Sequence, residues 1–153
     1  FDGSVFRPQN VQRAKVEGAE LGLTLRPAAW LDARASWTIT DAVNADTGQR
    51  LLRRPQNAWA FSARIVPLPG LVLAPEVVVY GLHRDFLNPS GGGFGSQGES
   101  PGDTLVNLTA SYAFNPQVTG FVEGRNLGNA RYEPANGYVT PGRSLLVGTR
   151  FTF

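Results

Sequence analysis

Cysteine and methionine are both missing from the 153 residues. Without thiols there is no disulfide framework, no thiolate metal site and no cysteine nucleophile. Lysine is nearly missing too. Lys15 stands alone beside thirteen arginines, and the net charge is only +2. The arginines are scattered, or adjacent as at Arg53-Arg54, and never form the basic run that nucleic-acid binding uses. His83 is the only histidine, which excludes a His-x-x-x-His metal pair and leaves a side chain best read as solvated or hydrogen-bonded. No apolar run reaches the roughly 18 residues of a membrane helix. Strands remain open, because a transmembrane strand needs only about ten residues with every second one apolar.

What the chain does contain is period-two alternation, the mark of β-strands. Leu145, Val147, Thr149, Phe151 and Phe153 alternate with Ser144, Leu146, Gly148, Arg150 and Thr152. Val106, Leu108, Ala110, Tyr112 and Phe114 oppose Asn107, Thr109 and Ser111. Leu31, Ala33, Ala35, Trp37 and Ile39 oppose Asp32, Arg34, Ser36, Thr38 and Thr40. The same reading gives strands over 14–26, 29–41, 54–66, 71–84, 103–114, 118–128 and 142–153. Short turns fall at Arg26-Pro27-Ala28, Pro67-Leu68-Pro69-Gly70 and Asn115-Pro116-Gln117. Longer loops cover about 42–53, 85–102 and 129–141. Gly91-Gly92-Gly93-Phe94-Gly95 lacks the Lys-Ser/Thr of a phosphate-binding loop and reads as a surface loop.

Short turns at one end and long loops at the other fit an up-and-down outer-membrane β-barrel. The strands are near twelve residues, against a usual five or six in soluble sheets. Charged residues make up only 17% of the chain, and the second strand face is Ser, Thr, Asn, Gln, Gly, Arg and Glu, with little bulk. A soluble β-sandwich would carry more Lys and Glu there, yet it remains an alternative, as does a passive porin-like channel. Trp30, Trp37, Trp59, Tyr80, Phe114, Tyr132, Tyr138 and Phe153 lie near strand ends, where an interfacial aromatic girdle would sit. Asp41, Asp46 and Asp85 could bind Ca²⁺ only if the loops bring them together. Nothing points to a catalytic site, a metal site or a cofactor.

Four segments resemble the C-terminal third of a TonB-dependent outer-membrane receptor. They are Ala14-Lys15-Val16-Glu17-Gly18-Ala19-Glu20-Leu21; Ala35-Ser36-Trp37-Thr38-Ile39-Thr40-Asp41-Ala42 followed by Asp46-Thr47-Gly48 and Leu51-Leu52-Arg53-Arg54-Pro55; Val122-Glu123-Gly124-Arg125-Asn126-Leu127-Gly128-Asn129-Ala130-Arg131-Tyr132; and Gly137-Tyr138-Val139-Thr140-Pro141-Gly142-Arg143 with the final strand to Phe153. Gly128 stands where the family commonly has an aromatic. The Leu-Leu-Arg-Arg-Pro and Gly-Tyr…Pro-Gly-Arg elements look closest to the cobalamin-transporter type, with catecholate-siderophore receptors sharing much of the pattern.

The resemblance implies an all-β, antiparallel, up-and-down transmembrane barrel of about 22 strands, of which residues 1–153 supply about seven. It also implies an N-terminal plug and a TonB box. The sequence holds neither, so the chain is expected to be a mature or truncated piece of a larger receptor. The implied function is active uptake of a large scarce nutrient, a cobalamin or a ferric siderophore, without enzymatic chemistry. Implied partners are outer-membrane lipid, the plug and the remaining strands, the TonB complex acting through the plug, and the barrel-assembly machinery, which would read the terminal Phe153. Glu20, Arg34, Arg64, Glu76, Glu123, Arg125 and Arg150 would form the plug-facing wall. Phe86, Asn88, Phe94, Gln97, Tyr132, Asn136 and Tyr138 would be ligand-contacting loop residues, the aromatics stacking on a flat ligand and the amides orienting it.

Overall fold

The computed structural model describes residues 13–86, 97–135 and 137–153. Seven long strands form one antiparallel sheet: β1 (Ala14–Ala28), β2 (Leu31–Asn44), β3 (Asn57–Leu68), β4 (Leu71–Tyr80), β7 (Asp103–Asn115), β8 (Val118–Arg125) and β9 (Ser144–Phe151). Two short strands, β5 (His83–Phe86) and β6 (Gln97–Ser100), pair separately as a hairpin between β4 and β7. The sheet order is β1-β2-β3-β4-β7-β8-β9, so each long strand lies beside its predecessor among the long strands.

Turn chemistry closes the three tight connections. Two residues suffice between each pair of strands: Ala29-Trp30, Pro69-Gly70 and Pro116-Gln117. Gly70 takes φ 85°, and a Cβ there would meet the Ala113 carbonyl oxygen at 3.0 Å. The preceding proline supplies the fixed φ that such a turn needs. At the third turn the Asn115 side chain accepts hydrogen bonds from the amides of Gln117 and Val118, both at 2.9 Å.

Several boundaries differ from the alternation in the sequence, each for a local reason. The strand expected over 71–84 stops at Tyr80: the Gly81 amide still donates to the Asn57 carbonyl at 2.8 Å in the β3–β4 register, and from His83 the chain pairs instead in the separate hairpin. The strand expected to run to 128 stops at Arg125, because Asn126 adopts a positive φ of 47°. The final strand begins at Ser144 and ends at Phe151, placing Phe153 two residues beyond it. At the long-loop end β1 and β2 extend further than their neighbours. Their pairing runs to Ala14 and Asn44, whereas β2 meets β3 only up to Ile39 and Asn57.

The sheet is a single layer without a core of its own. Ala42 is the only buried apolar side chain among the described residues. Among the described residues no second sheet covers the apolar face, whereas the inner faces of a soluble sandwich interdigitate. Outward-facing runs extend from Leu31 to Ile39, from Val106 to Phe114 and from Leu145 to Phe151. The first two runs match the roughly 9–11 residues of a tilted transmembrane strand, and the third, on the shorter β9, falls below it. Leu145, for example, is 69% exposed. A soluble monomer seldom exposes a contiguous apolar patch beyond roughly a few hundred Å², and this face is apolar across all seven strands.

Aromatics mark both borders of that face. Trp37, Trp59 and Phe61 stack across β2 and β3, with ring centroids 4.8 and 6.0 Å apart. Tyr112 and Phe114 meet edge to face at 5.1 Å near the short-turn end. Beyond Ile39 the outward positions become Asp41, Glu17 and Lys15, so charge begins where the apolar band ends. Tyr80 departs from the girdle reading. Its register partners Ala58 and Asp103 place it on the opposite, polar face.

Candidate interior wall and loop site

The ladder decides which side chains share a face, because directly paired residues project to the same side and successive residues alternate. Thr24 pairs with Arg34, Arg34 with Ser62, Ser62 with Glu76, and Glu76 with Asn107. Thr109 pairs with Glu123, and Thr119 with Arg150. No register irregularity interrupts these stretches. Glu20, Arg34, Arg64, Glu76, Glu123, Arg125 and Arg150 therefore all lie on the polar face, opposite the Leu, Trp and Phe rows.

On that face charges meet across and along strands. Asp32 on β2 accepts from Arg26 on β1 at 2.8 Å and lies 3.5 Å from Arg34, with Arg64 directly opposite it on β3. The Asn107 amide donates to Glu76 at 2.8 Å, and Arg125 pairs with Glu123. Exposed pairs of this kind, screened by solvent, add little to stability. Their effect is to keep a wet, ordered surface rather than to hold the sheet together. Two concavities lie on this face: one of about 510 Å³ lined by Glu76, Asn107, Thr109, Glu123 and Arg125, and one of about 220 Å³ lined by Asp32, Arg34, Ser62 and Arg64.

The long connections gather at one end. The 45–56 segment docks on the β5–β6 hairpin: Leu52 bridges to Arg84, the Arg53 amide donates to the Arg84 carbonyl at 2.7 Å, and the Arg53 guanidinium donates to Asp85 at 3.0 Å. Asp85 is 2% exposed, and His83 beside it is buried with Nδ1 3.3 Å from the Gly81 carbonyl. Asp41, Asp46 and Asp85, considered together as possible cation ligands, are each engaged by a different arginine: Arg50, Arg13 and Arg53.

Among the expected loop residues, Phe86 and Gln97 prove to be paired strand residues closing the hairpin, and the Gln97 side chain accepts from Arg84 at 3.3 Å. Tyr132 leaves the 126–143 loop to stack on Tyr80 at 4.7 Å, nearly parallel. Burial, reinforced by the neighbouring Tyr80 and Asp103, holds its phenol above the usual ionisation range. Tyr138 is exposed, its amide donating to the Ala135 carbonyl at 2.9 Å. Asn88, Phe94 and Asn136 lie outside the described residues. Asp85, Asp103, Arg131, Tyr132 and Glu133 line a cleft of about 190 Å³ between the hairpin and the loop. Sequence reasoning missed Asn107 and Asn126 as structural ties. The signal available was a polar residue in mid-strand and an Asn at a strand end, a residue type that tolerates positive φ.

A model of the TonB-dependent receptor-like β-barrel family matches residues 1–127. No curated protein sequence matches the chain. Among solved structures, the ferric-catecholate import receptor Fiu of E. coli K12 superposes with a TM-score of 0.74 at 17% identity, over 92% of this chain and 21% of its own. FpvA of P. aeruginosa, bound to heterologous pyoverdines, gives 0.76 at 18% identity, over 90% of this chain and 19% of its own. The copper transporter OprC gives 0.69 at 17% identity, over 92% and 24%. The chain thus spans about a fifth of the length of these structures, and at such identities the likeness concerns the fold.

Proposed function

Because the chain belongs to the TonB-dependent receptor-like β-barrel family and to the bacterial outer membrane, we propose that it forms neighbouring wall strands of a larger transporter barrel. In this reading residues 1–153 form a C-terminal part of the wall. The whole protein takes up a large scarce nutrient, a ferric siderophore or a cobalamin, using energy delivered through TonB. The apolar face meets lipid. Glu20, Arg34, Arg64, Glu76, Glu123, Arg125 and Arg150 face a plug in the interior, and Phe153 serves barrel assembly. Tyr132, Tyr138, Phe86 and Gln97, with Asn88, Phe94 and Asn136, contribute to cargo contact at the outer mouth. Transport of this kind makes no covalent change in the cargo.

One observation carries the reading: a seven-stranded sheet has one uncovered apolar face and all seven wall charges on the other. In hydrocarbon such a sheet satisfies its backbone polar groups only within a closed barrel, so β1 and β9 each require a further strand partner. A large cargo suits the width of a barrel of about 22 strands and the aromatics Tyr132 and Tyr138 of its loop. The test is uptake of labelled ferric siderophores and cobalamin by cells carrying the full-length receptor, with and without functional TonB. TonB-dependent accumulation of one of these cargoes is expected. Uptake indifferent to TonB would instead indicate a passive channel.

A further inference from the structure

The loop that carries Tyr132 and Tyr138 is fastened by asparagine side chains as well as by the Tyr132–Tyr80 stack, Asn129 Oδ1 accepting from the Arg143 amide at 3.0 Å. Asn126, at φ 47°, is 6% exposed. Its Oδ1 accepts from the Ala130 amide at 2.8 Å, while its Nδ2 donates to the carbonyls of Ala130 at 2.8 Å and Pro141 at 3.2 Å. One side chain thus fastens the start of the loop to its end. Within the loop, the amide and hydroxyl of Thr140 both donate to the Tyr132 carbonyl at 2.9 Å.

Asn126 is itself fixed by Asn107. The Asn126 backbone amide donates to Asn107 Oδ1 at 2.9 Å, and Asn107 Nδ2 donates to Glu76 Oε2 at 2.8 Å. The two partners dictate the orientation of the Asn107 amide, since a carboxylate only accepts and a backbone N–H only donates. A single side chain on β7 therefore spans from a carboxylate on the polar face to the root of the loop. Glu76 and Asn107 line the 510 Å³ concavity on that face, so a group entering from that side reaches Glu76 directly.

We propose that Asn107 is the positioning residue through which the wall sets the order of the 126–143 loop. A cationic or donor group that draws Glu76 toward the interior takes away the hydrogen bond that orients Asn107. The Asn126 amide then loses its acceptor, and the loop presenting Tyr132 and Tyr138 loosens. The inference rests on the reading of this sheet as the wall of a receptor barrel, and it adds a route by which events inside the barrel reach the outer loop.

The test is hydrogen–deuterium exchange, read by mass spectrometry, on peptides within 126–143 of the full-length receptor in detergent. Asn107→Ala and Glu76→Ala should each speed exchange about fivefold, the scale of one lost hydrogen bond. Glu76→Ala should add nothing in the Asn107→Ala background, because both cut the same connection. The pair Asn107→Asp with Glu76→Gln reverses donor and acceptor at the junction while leaving an acceptor for the Asn126 amide, and should restore slow exchange. Additive effects, unchanged loop exchange in Glu76→Ala, or failure of the reversed pair to rescue would each overturn the proposal. Heat-modifiable gel migration separates the two levels. Its loss in the unsubstituted receptor would count against the barrel reading, whereas normal migration with an indifferent loop would count against Asn107 alone.

Discussion

Placing one arginine on each face of the same strand tests the face assignment energetically. Ala110 lies midway along the outward run from Val106 to Phe114 and pairs with Leu73 and Val122. Thr109, its neighbour, projects to the polar face and pairs with Ala74 and Glu123. An arginine on the lipid face near the bilayer midplane costs about 2–4 kcal/mol. At tenfold per 1.4 kcal/mol, that lowers the folding equilibrium constant roughly 30- to 700-fold. Ala110→Arg should show this loss. Thr109→Arg should cost less than about 1 kcal/mol, because its guanidinium enters a wet face beside the Glu123 carboxylate. The assay is denaturant unfolding of the full-length receptor in lipid vesicles, followed by heat-modifiable migration. Equal costs, or a larger cost at Thr109, would refute the assignment of lipid to the Ala110 side.

Two further outcomes follow from local geometry. Gly102 has φ 83°, and a Cβ there would fall 2.0 Å from the Tyr80 carbonyl oxygen; Gly102→Ala should cost more than the roughly 1–2 kcal/mol of a left-handed residue and open the β5–β6 hairpin to protease, which an unchanged digestion pattern would contradict. Tyr132 carries a raised pKa from burial, then Tyr80 and Asp103, so loop docking is fully supported below the unfolded phenol value near 10 and is lost as pH rises through the higher folded value; the difference in phenolate absorbance between the receptor and Tyr132→Phe should therefore titrate above pH 10, and a midpoint at or below it would contradict the burial.

Much of the sheet is legible in the sequence because one face meets a different solvent from the other. Leu21, Leu23 and Leu25 against Gly22 and Thr24 need no tertiary knowledge to be read as a strand. Elements whose partners are distant are not legible in this way. His83–Phe86 and Gln97–Ser100 are too short to display a period, and only pairing with each other makes them strands. The sequence therefore places Phe86 and Gln97 in a loop. Aromatic character puts Tyr80 among the girdle candidates but says nothing about its face; only its register with Ala58 and Asp103 does. Alternation puts each of the seven charged residues on the polar side of its own strand, and only the register places them on a common face. The ties through Asn107 and Asn126 escaped because a hydrogen bond between residues nineteen apart leaves no periodic trace.

The most direct measurement is the lipid contact of alternate residues along β7. A nitroxide placed singly from Thr104 to Phe114 in the full-length receptor in bilayers reports collision with oxygen, which concentrates in lipid, and with a water-soluble nickel chelate. Oxygen maxima are expected at Val106, Leu108, Ala110 and Tyr112 and minima at Asn107, Thr109 and Ser111. Flat profiles, or the inverse phase, would contradict the face assignment.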